Sequence, residues 1–373
     1  MSDSSSYTHA DAHRRRRGAL AELLQTAELD ALLVTDLRNI RYLTGFTGSN
    51  AALLLHAGGE DATVFCTDGR YTTQAASEVP DLTTVVDRAS ARALARRAAC
   101  DPTRYRRMGF ESQYVSVEEH ATLDEAAGDV ELHRSPGLVE RLRMVKDELE
   151  IDALRRACAA ADQALAGLLA DGGLRPGRSE REVARDLESR MLDHGSEGPA
   201  FPSIVAAGAH SAIPHHRPGG AVLAAGDLVK LDFGATVDGY HSDMTRTVVL
   251  GRPAAWQQEL HDLVLEAQRS GVAAAVPGAS TPAVDAAARD VIAGAGRGDE
   301  FLHGLGHGVG LEVHEAPSLA KTGDGTLAAG MAVTVEPGVY VAGRGGVRIE
   351  DTLVVRESAP ELLTLSTKEL VVV

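Results

Sequence analysis

The chain is poor in the residues that mark most specialised classes of protein. Among 373 residues there are three cysteines, one tryptophan and 4% aromatics. Cys66, Cys100 and Cys158 lie far apart and form no paired ligand spacing, so neither a disulfide frame nor a zinc knot is expected, and a reducing cytoplasm fits best. No apolar stretch reaches the length needed to span a bilayer. Positive charge is also scarce: 37 Lys and Arg stand against 53 Asp and Glu, and the net charge of −16 would repel a phosphate backbone. The one dense basic run, Arg14 to Arg17, precedes a segment broken by Glu22, Gln25, Glu28 and Asp30, so it does not read as a signal peptide. Neither nucleic acid nor membrane is an expected partner.

What remains is an ordinary globular composition, 44% apolar and 24% charged. The length predicts two domains, divided after the polar, proline-containing stretch His133 to Gly137 into residues 1–140 and 141–373. In the first, the apolar runs Ala31 to Thr35, Ala51 to His56 and Ala62 to Cys66 alternate with helical candidates, an α/β pattern. Ser116 and Glu119 have the spacing of a reciprocal capping box. The second domain opens with helical periodicity from Leu138 to Ala170. Pro176, Gly177, Ser179 and Val183 then recur as Pro277, Gly278, Ser280 and Val284, which suggests two related α/β halves. These are also generic helix-start residues, so the recurrence bears on architecture and not on chemistry.

The chemistry is written in four acids. In LDFGATVDGYHSDMTRT, Leu231 to Thr247, the pair Asp238-Gly239 is a strong two-residue hairpin signal. That turn sets Val237 against Tyr240 and Gly234 against Asp243, which makes Asp232 and Asp243 diagonal neighbours on one face. A second hairpin joins TVEPGVYV, with Glu336, to VRIEDTLVV, with Glu350. Taking Ala342 to Gly346 as a five-residue turn puts Gly338 opposite Glu350 and again makes the two acids diagonal neighbours. Burying such acids without compensation costs several kcal/mol per ion, on the order of the penalty for any unpaired buried charge. Arg246 and Arg348 offset part of it, salt bridges stitching two hairpins are the plainest alternative, and divalent ions meet the deficit more fully.

A nitrogen donor is available in FLHGLGHGVGLEVHE, Phe301 to Glu315, where glycines alternate with apolar residues around three histidines. We take His307 as that donor. One imidazole among carboxylate oxygens suits manganese, cobalt or magnesium better than a thiolate-seeking metal.

Together these residues resemble the pita-bread metallopeptidase family, which includes aminopeptidase P, prolidase, methionine aminopeptidase and the metal-free creatinase. The resemblance covers about Val145 to Val373 and implies an α+β pita-bread catalytic domain after the α/β domain. It also implies two divalent metal ions, manganese first with cobalt or zinc as alternatives, held by Asp232, Asp243, His307, Glu336 and Glu350. Asp243 and Glu350 would bridge them. GYHSDMTRT around Asp243, His303 ahead of His307 and VRIED around Arg348 resemble the Xaa-Pro branch. The stretches NIRYLTGFTGSNAALLL, Asn39 to Leu55, and TDGRYTTQA, Thr67 to Ala75, are similar to a creatinase-type N-terminal domain.

By the same resemblance His215 in SAIPHH and His314 in LEVHE handle substrate and protons, with Glu336 as the proton acceptor, while His303 and Arg348 contact substrate. His216 is expected to be a bystander. The implied activity is Xaa-Pro aminopeptidase on peptides with proline second, with Xaa-Pro dipeptidase (prolidase) as the alternative, in a cytoplasmic homodimer or higher homo-oligomer. A catalytically silent binding protein and a creatinase-like amidinohydrolase are the rivals; the complete ligand set argues against both.

Overall fold

Helix α1 (His9–Thr26) starts where the Thr8 hydroxyl accepts from Asp11 N–H and the Asp11 carboxylate accepts from Thr8 N–H. Its basic run turns inward: Arg16 and Arg17 are buried, Arg16 lying 4.4 Å over the Tyr42 ring and Arg17 donating to Glu60 at 2.7 Å. The computed structural model describes residues 8–373 in two units, one ending at Arg143 and the other Met144–Val373.

The first unit is built on one mixed sheet of β1 (Ala31–Val34), β2 (Ala51–His56), β3 (Val64–Thr67), β4 (Thr83–Val86), β5 (Arg107–Phe110) and β6 (Glu131–Arg134), in the order β4-β3-β2-β1-β5-β6. Its first three strands fall where the apolar runs place them. The remaining helices of this unit are α2 (Leu37–Thr44), α3 (Thr72–Glu78), α4 (Ser90–Ala99), α5 (Val117–Ala127) and α6 (Leu138–Arg143), and α5 carries the Ser116–Glu119 capping box.

The helical periodicity from Leu138 to Ala170 is realised as two helices, because Asp147 caps a new one, α7 (Glu148–Ala170), by accepting from Leu149 and Glu150 N–H. After it come α8 (Glu180–Asp193), β7 (Gly198–Pro199), β8 (Ile204–Ala207), β9 (Leu228–Phe233), β10 (Ala235–Val237), β11 (Tyr240–His241) and β12 (Met244–Val249). The second half has α9 (Ala255–Ala274), α10 (Thr281–Gly294), β13 (Gly306–Gly308), β14 (Glu315–Leu319), β15 (Ala332–Val335), β16 (Gly338–Val341), β17 (Gly345–Arg348), β18 (Asp351–Val354) and β19 (Glu361–Leu362).

The Pro-Gly-x-Ser recurrence is structural. Gly177 N–H donates to Leu223 O at 3.0 Å and Gly278 N–H to Leu327 O at 2.8 Å; Glu180 N–H donates to Ala221 O and Thr281 N–H to Gly325 O. Ser179 bridges Val222 just as Ser280 bridges Thr326. One apolar core gathers Ala160, Leu187, Val205 and Leu231 from the first half, and another gathers Val264, Ile292, Val333 and Leu353 from the second.

The two hairpins carry the acids. Asp238 and Gly239 turn with φ of 49° and 72°, the doubly positive geometry of a tight hairpin, and Val237 pairs with Tyr240 as the sequence predicts. The same register continues through Met244 opposite Phe233 and Thr245 opposite Asp232, so Gly234 stands level with Asp243. In the second hairpin the turn is shorter than predicted. Val341 pairs with Gly345, leaving three residues in the loop, and Gly338 faces Arg348 rather than Glu350. With Val335 opposite Asp351 on the far side, Glu336 stands level with Glu350. A two-residue slip preserves the face, because side chains alternate with period two.

Candidate metal centre

Three of the acids sit where the ladders are interrupted, Asp243 just before β12, Glu336 just after β15 and Glu350 just before β18, while Asp232 lies within β9, paired with Ile204 and Thr245. Glu350 N–H donates to Thr245 O at 3.1 Å, which joins the second hairpin to β12 and brings the two acid pairs together. His307 comes from β13. Its neighbour Gly306 lies so close to β15 that a Cβ would stand 2.0 Å from Thr334 O, which excludes any side chain there.

A cavity of about 690 Å³ receives Asp232, Asp243, His307, Glu336 and Glu350 in its wall. His215, His303, His314 and Arg348 line it as well, so every candidate named from the sequence faces the same space. His216 is not in the wall. Ligand atoms of Asp243, His307 and Glu350 lie within 4.8 Å of one another. His307 Nε2 is 3.4 Å from Glu336 Oε1 and 3.7 Å from Asp243 Oδ2.

The other nitrogen of His307 decides what this means. Nδ1 lies 3.0 Å from Gly308 O, and a carbonyl only accepts, so Nδ1 carries the proton. Nε2 is left facing carboxylates, an arrangement that needs a proton on Nε2 or a cation between them, and without metal the raised pKa of His307 favours the proton. The spacing of 3.4–3.7 Å leaves room for a cation.

The acids do not share their charge equally. Burial first, then the charges of Glu350, Asp232 and Glu336, push Asp243 well above the usual carboxylate range. Glu350 is raised for the same reasons. Burial would raise Glu336 too, but the hydrogen bond and charge of His307 bring it down to about 2. Without metal the cluster therefore favours protons on Asp243 and Glu350 over Glu336. The donor set, four buried carboxylates and one oriented imidazole, fits divalent ions and would exchange those protons for them.

Of the two arginines weighed as counter-ions, only Arg348 serves the acids. It contacts Asp232 through Nη2 and stands 3.9 Å from Glu336 Oε2. Arg246 turns away to Asp351 at 2.7 Å and to the carbonyls of Ser366 and Thr367.

Three supporting residues escaped the sequence reading. Thr245 donates to Glu350 Oε2 at 2.7 Å and accepts from Arg348 Nε at 3.0 Å; its position level with Asp232 was the available signal. Tyr340 accepts from Arg348 Nη1 at 2.8 Å and lies 2.8 Å from His303 Nε2. Because His303 Nδ1 donates to Gly304 O, the neutral ring takes the Tyr340 proton at Nε2, and burial lowers its pKa in keeping with that form. Lys230, fully buried, was visible as a lone cation in an apolar strand. It donates to Ile213 O and Pro214 O, ahead of His215, and burial followed by the Arg348 charge lowers it to about 6.

The family model of metallopeptidase family M24 matches residues 152–357, and that of the creatinase/prolidase N-terminal domain matches residues 16–145. The chain belongs to metallopeptidase family M24. It is thus a metallopeptidase with the two-domain pita-bread fold, and the M24 family implies divalent metal. The Xaa-Pro dipeptidase of Pyrococcus horikoshii is 35% identical over 94% of this chain and 97% of its own length. Among solved structures, an Xaa-Pro dipeptidase from Bacillus anthracis superposes with a TM-score of 0.91 at 38% identity, over 97% of this chain and 100% of that one. An X-Pro aminopeptidase from Thermotoga maritima gives 0.87 at 34% identity, over 96% and 99%. Among the described residues no helix of this M24 enzyme is long and apolar enough to cross a membrane.

Proposed function

We propose that this M24 enzyme is a two-metal Xaa-Pro dipeptidase, with manganese as the first choice of metal. The carrying observation is the oriented Nε2 of His307 facing Asp243 and Glu336 across 3.4–3.7 Å inside one acid-lined cavity. Asp232, Asp243, His307, Glu336 and Glu350 would hold the ions, with Asp243 and Glu350 shared between them. Bound there, the ions would supply Lewis acidity that ionises water near neutral pH and polarises the scissile carbonyl.

The protein's own residues do the rest. Glu336, ionised at neutral pH, accepts the proton of the attacking water. His314, whose ring centroid is 4.3 Å from that of His307, and His215 stand at the cavity wall to stabilise the developing oxyanion. His303 and Arg348, tied together through Tyr340, fix the substrate's orientation. Proline after the scissile bond presents a tertiary amide without an N–H, and nothing in this set of donors depends on one.

The dipeptidase reading is preferred over the aminopeptidase reading for two reasons. Dipeptidase names are the more frequent among the relatives. Arg217 is an exposed cation in the cavity wall with no ion pair among the described residues, suited to the carboxylate that a dipeptide places close to its scissile bond. The reading extends, by resemblance, to a cytoplasmic homo-oligomer.

The test is turnover by metal-stripped protein after manganese addition, on an Xaa-Pro dipeptide and an Xaa-Pro-Yaa tripeptide. The expected result is hydrolysis of the dipeptide in preference, with Arg217→Ala raising KM for the dipeptide alone. Preference for the tripeptide would restore the aminopeptidase reading, and no turnover of either would overturn both.

A further inference from the structure

The loop that carries His215 is held from beneath by a carboxylate that the equivalent position in the other half of the domain lacks. Glu180 is the first residue of α8, and its side chain is fully buried. Oε1 accepts from Ala207 N–H at 3.0 Å and lies 2.9 Å from His210 Nδ1. Oε2 lies 2.8 Å from His216 Nε2 and accepts from Gly219 N–H at 3.2 Å. The His210 and His216 rings stack with centroids 4.4 Å apart. One carboxylate thus grips the loop before, within and after the His215 segment, while nothing among the described residues hydrogen-bonds the His215 ring itself. From the other side Lys230 holds Ile213 O at 2.7 Å, and Arg348 reaches Pro214 O at 3.3 Å.

The same three residues invite a second interpretation, since ligand atoms of Glu180, His210 and His216 lie within 4.8 Å of one another. Distances argue against a metal. The nitrogen–oxygen separations here are 2.8–2.9 Å, the length of a direct hydrogen bond, against 3.4–3.7 Å at His307. A cation about 2.1 Å from a nitrogen and about 2.1 Å from an oxygen in tetrahedral geometry needs the larger spacing. Both carboxylate oxygens also already carry a backbone N–H.

The repeat explains why a charged residue is used. At the equivalent step of the second half Thr281 makes the same backbone bond, and its hydroxyl accepts only from Gly325 N–H at 3.2 Å. Joining helix to strand therefore does not require a carboxylate. Burial would raise the Glu180 pKa, but bonds from Ala207, His216, His210 and Gly219 more than offset that and keep it ionised.

We propose that Glu180, acting with His210 and His216, is the positioning residue of the His215 loop and sets where the His215 imidazole stands in the cavity. The inference rests on the proposed role of His215 in turnover. It gives His216 a function in place of the bystander status expected from sequence.

The experiment uses the full manganese-loaded chain and Xaa-Pro dipeptide, with variants Glu180→Ala, His216→Ala, His216→Gln and His215→Ala, and the double variant of Glu180→Ala with His215→Ala. Glu180→Ala and His216→Ala are expected to lower kcat about 10- to 100-fold, as misplacement of a reacting group does, with metal content unchanged. His216→Gln, whose amide restores a donor near the Nε2 position, recovers most of the loss. Adding Glu180→Ala to His215→Ala costs little further, because both act through one imidazole.

Amide exchange at Ala207 and Gly219 rises in Glu180→Ala, and this readout needs no activity, so it decides the clamp even if the wild type fails to turn over dipeptides. Unchanged exchange overturns the proposal. So does a full additional loss in the His215→Ala background, a His216→Gln variant as impaired as His216→Ala, or an extra metal ion that disappears with Glu180.

Discussion

The two halves of the catalytic unit start their second helices from the same Pro-Gly-x-Ser step and close it with matching bonds, Gly177 to Leu223 and Gly278 to Leu327. Asp232 and Glu336 then follow at equal distances along the chain from Leu223 and Leu327. Beyond that point the halves part. The first contributes two acids, whereas the second contributes two acids and the imidazole of His307. Where the first half has Lys230 two residues before its acid, the second has Thr334, whose hydroxyl accepts from His307 N–H at 3.1 Å. The repeat therefore supplies a scaffold that delivers acids in equivalent places, and function resides in the residues that break the equivalence. The triplet of Asp243, His307 and Glu350, whose ligand atoms lie within 4.8 Å of one another, takes members from both halves. Neither half alone can make the centre.

That dependence gives the largest expected effect. Asp243→Ala and Glu350→Ala, one in each half, should each cost more than about a thousandfold in kcat and abolish tight metal binding if, as proposed, each is a ligand shared between the ions. The first unit should stay folded, because it has its own core of residues such as Leu33, Leu54 and Met108. Metal analysis and amide exchange check both points. Full dinuclear metal in either variant would show that the halves do not share ligands.

The two arginines separate the halves next. Arg246, held by four carbonyls and Asp351, is structural; Arg348 balances the site. Removing one partner of a buried ion pair costs about 3–5 kcal/mol. Arg246→Ala should lose that amount in urea unfolding whether or not manganese is present. Arg348→Ala should lose it in the stripped protein and regain part of it on metal addition, because ions replace the missing charge beside Asp232. Equal responses to metal would contradict the division.

Smaller again are the hydroxyls. Thr245→Val removes the donor to Glu350 and should weaken metal affinity about tenfold, within the range for outer-shell partners. Thr334→Val removes only an acceptor for a backbone N–H and should cost less. Isothermal titration with manganese measures both, and a reversed order would mean that His307 orientation outweighs Glu350 orientation.

Local signals were legible and long-range ones were not. Asp238-Gly239 dictates its turn, so the register that aligns Asp232 with Asp243 could be read in full. The glycines around Arg344 admit several turns, so the sequence there specifies the face, while the observed register differs by two residues from that of a five-residue turn. Asp147 with Glu150 three residues later marks a helix start inside the periodic stretch from Leu138 to Ala170. The inward course of Arg246, and the reach of Glu180 to His216 across 36 residues, depend on packing that no spacing announces.

The smallest effect sharpens the comparison through protons, since Asp243 and Glu350 stand one in each half and both have raised pKa values in the folded protein. A carboxyl whose folded pKa exceeds its unfolded value contributes stability that is fully present below the unfolded pKa and is lost as pH rises through the folded one. His307 is also raised: burial opposes this, but Glu336 outweighs it, and its sign is the same. Glu336, held at about 2, has its window below the range of interest and contributes constantly between about pH 5 and about pH 8. Metal-stripped protein should therefore melt lower at about pH 8 than at about pH 5, and manganese should narrow the gap by standing where the protons were. Glu111 in the first unit, raised to about 7 by burial, shifts stability in the same direction, so the readout is the stripped-minus-loaded difference at each pH. A difference independent of pH would mean that the metal displaces no protons from the two acids, and that they are not held side by side as the two hairpins place them.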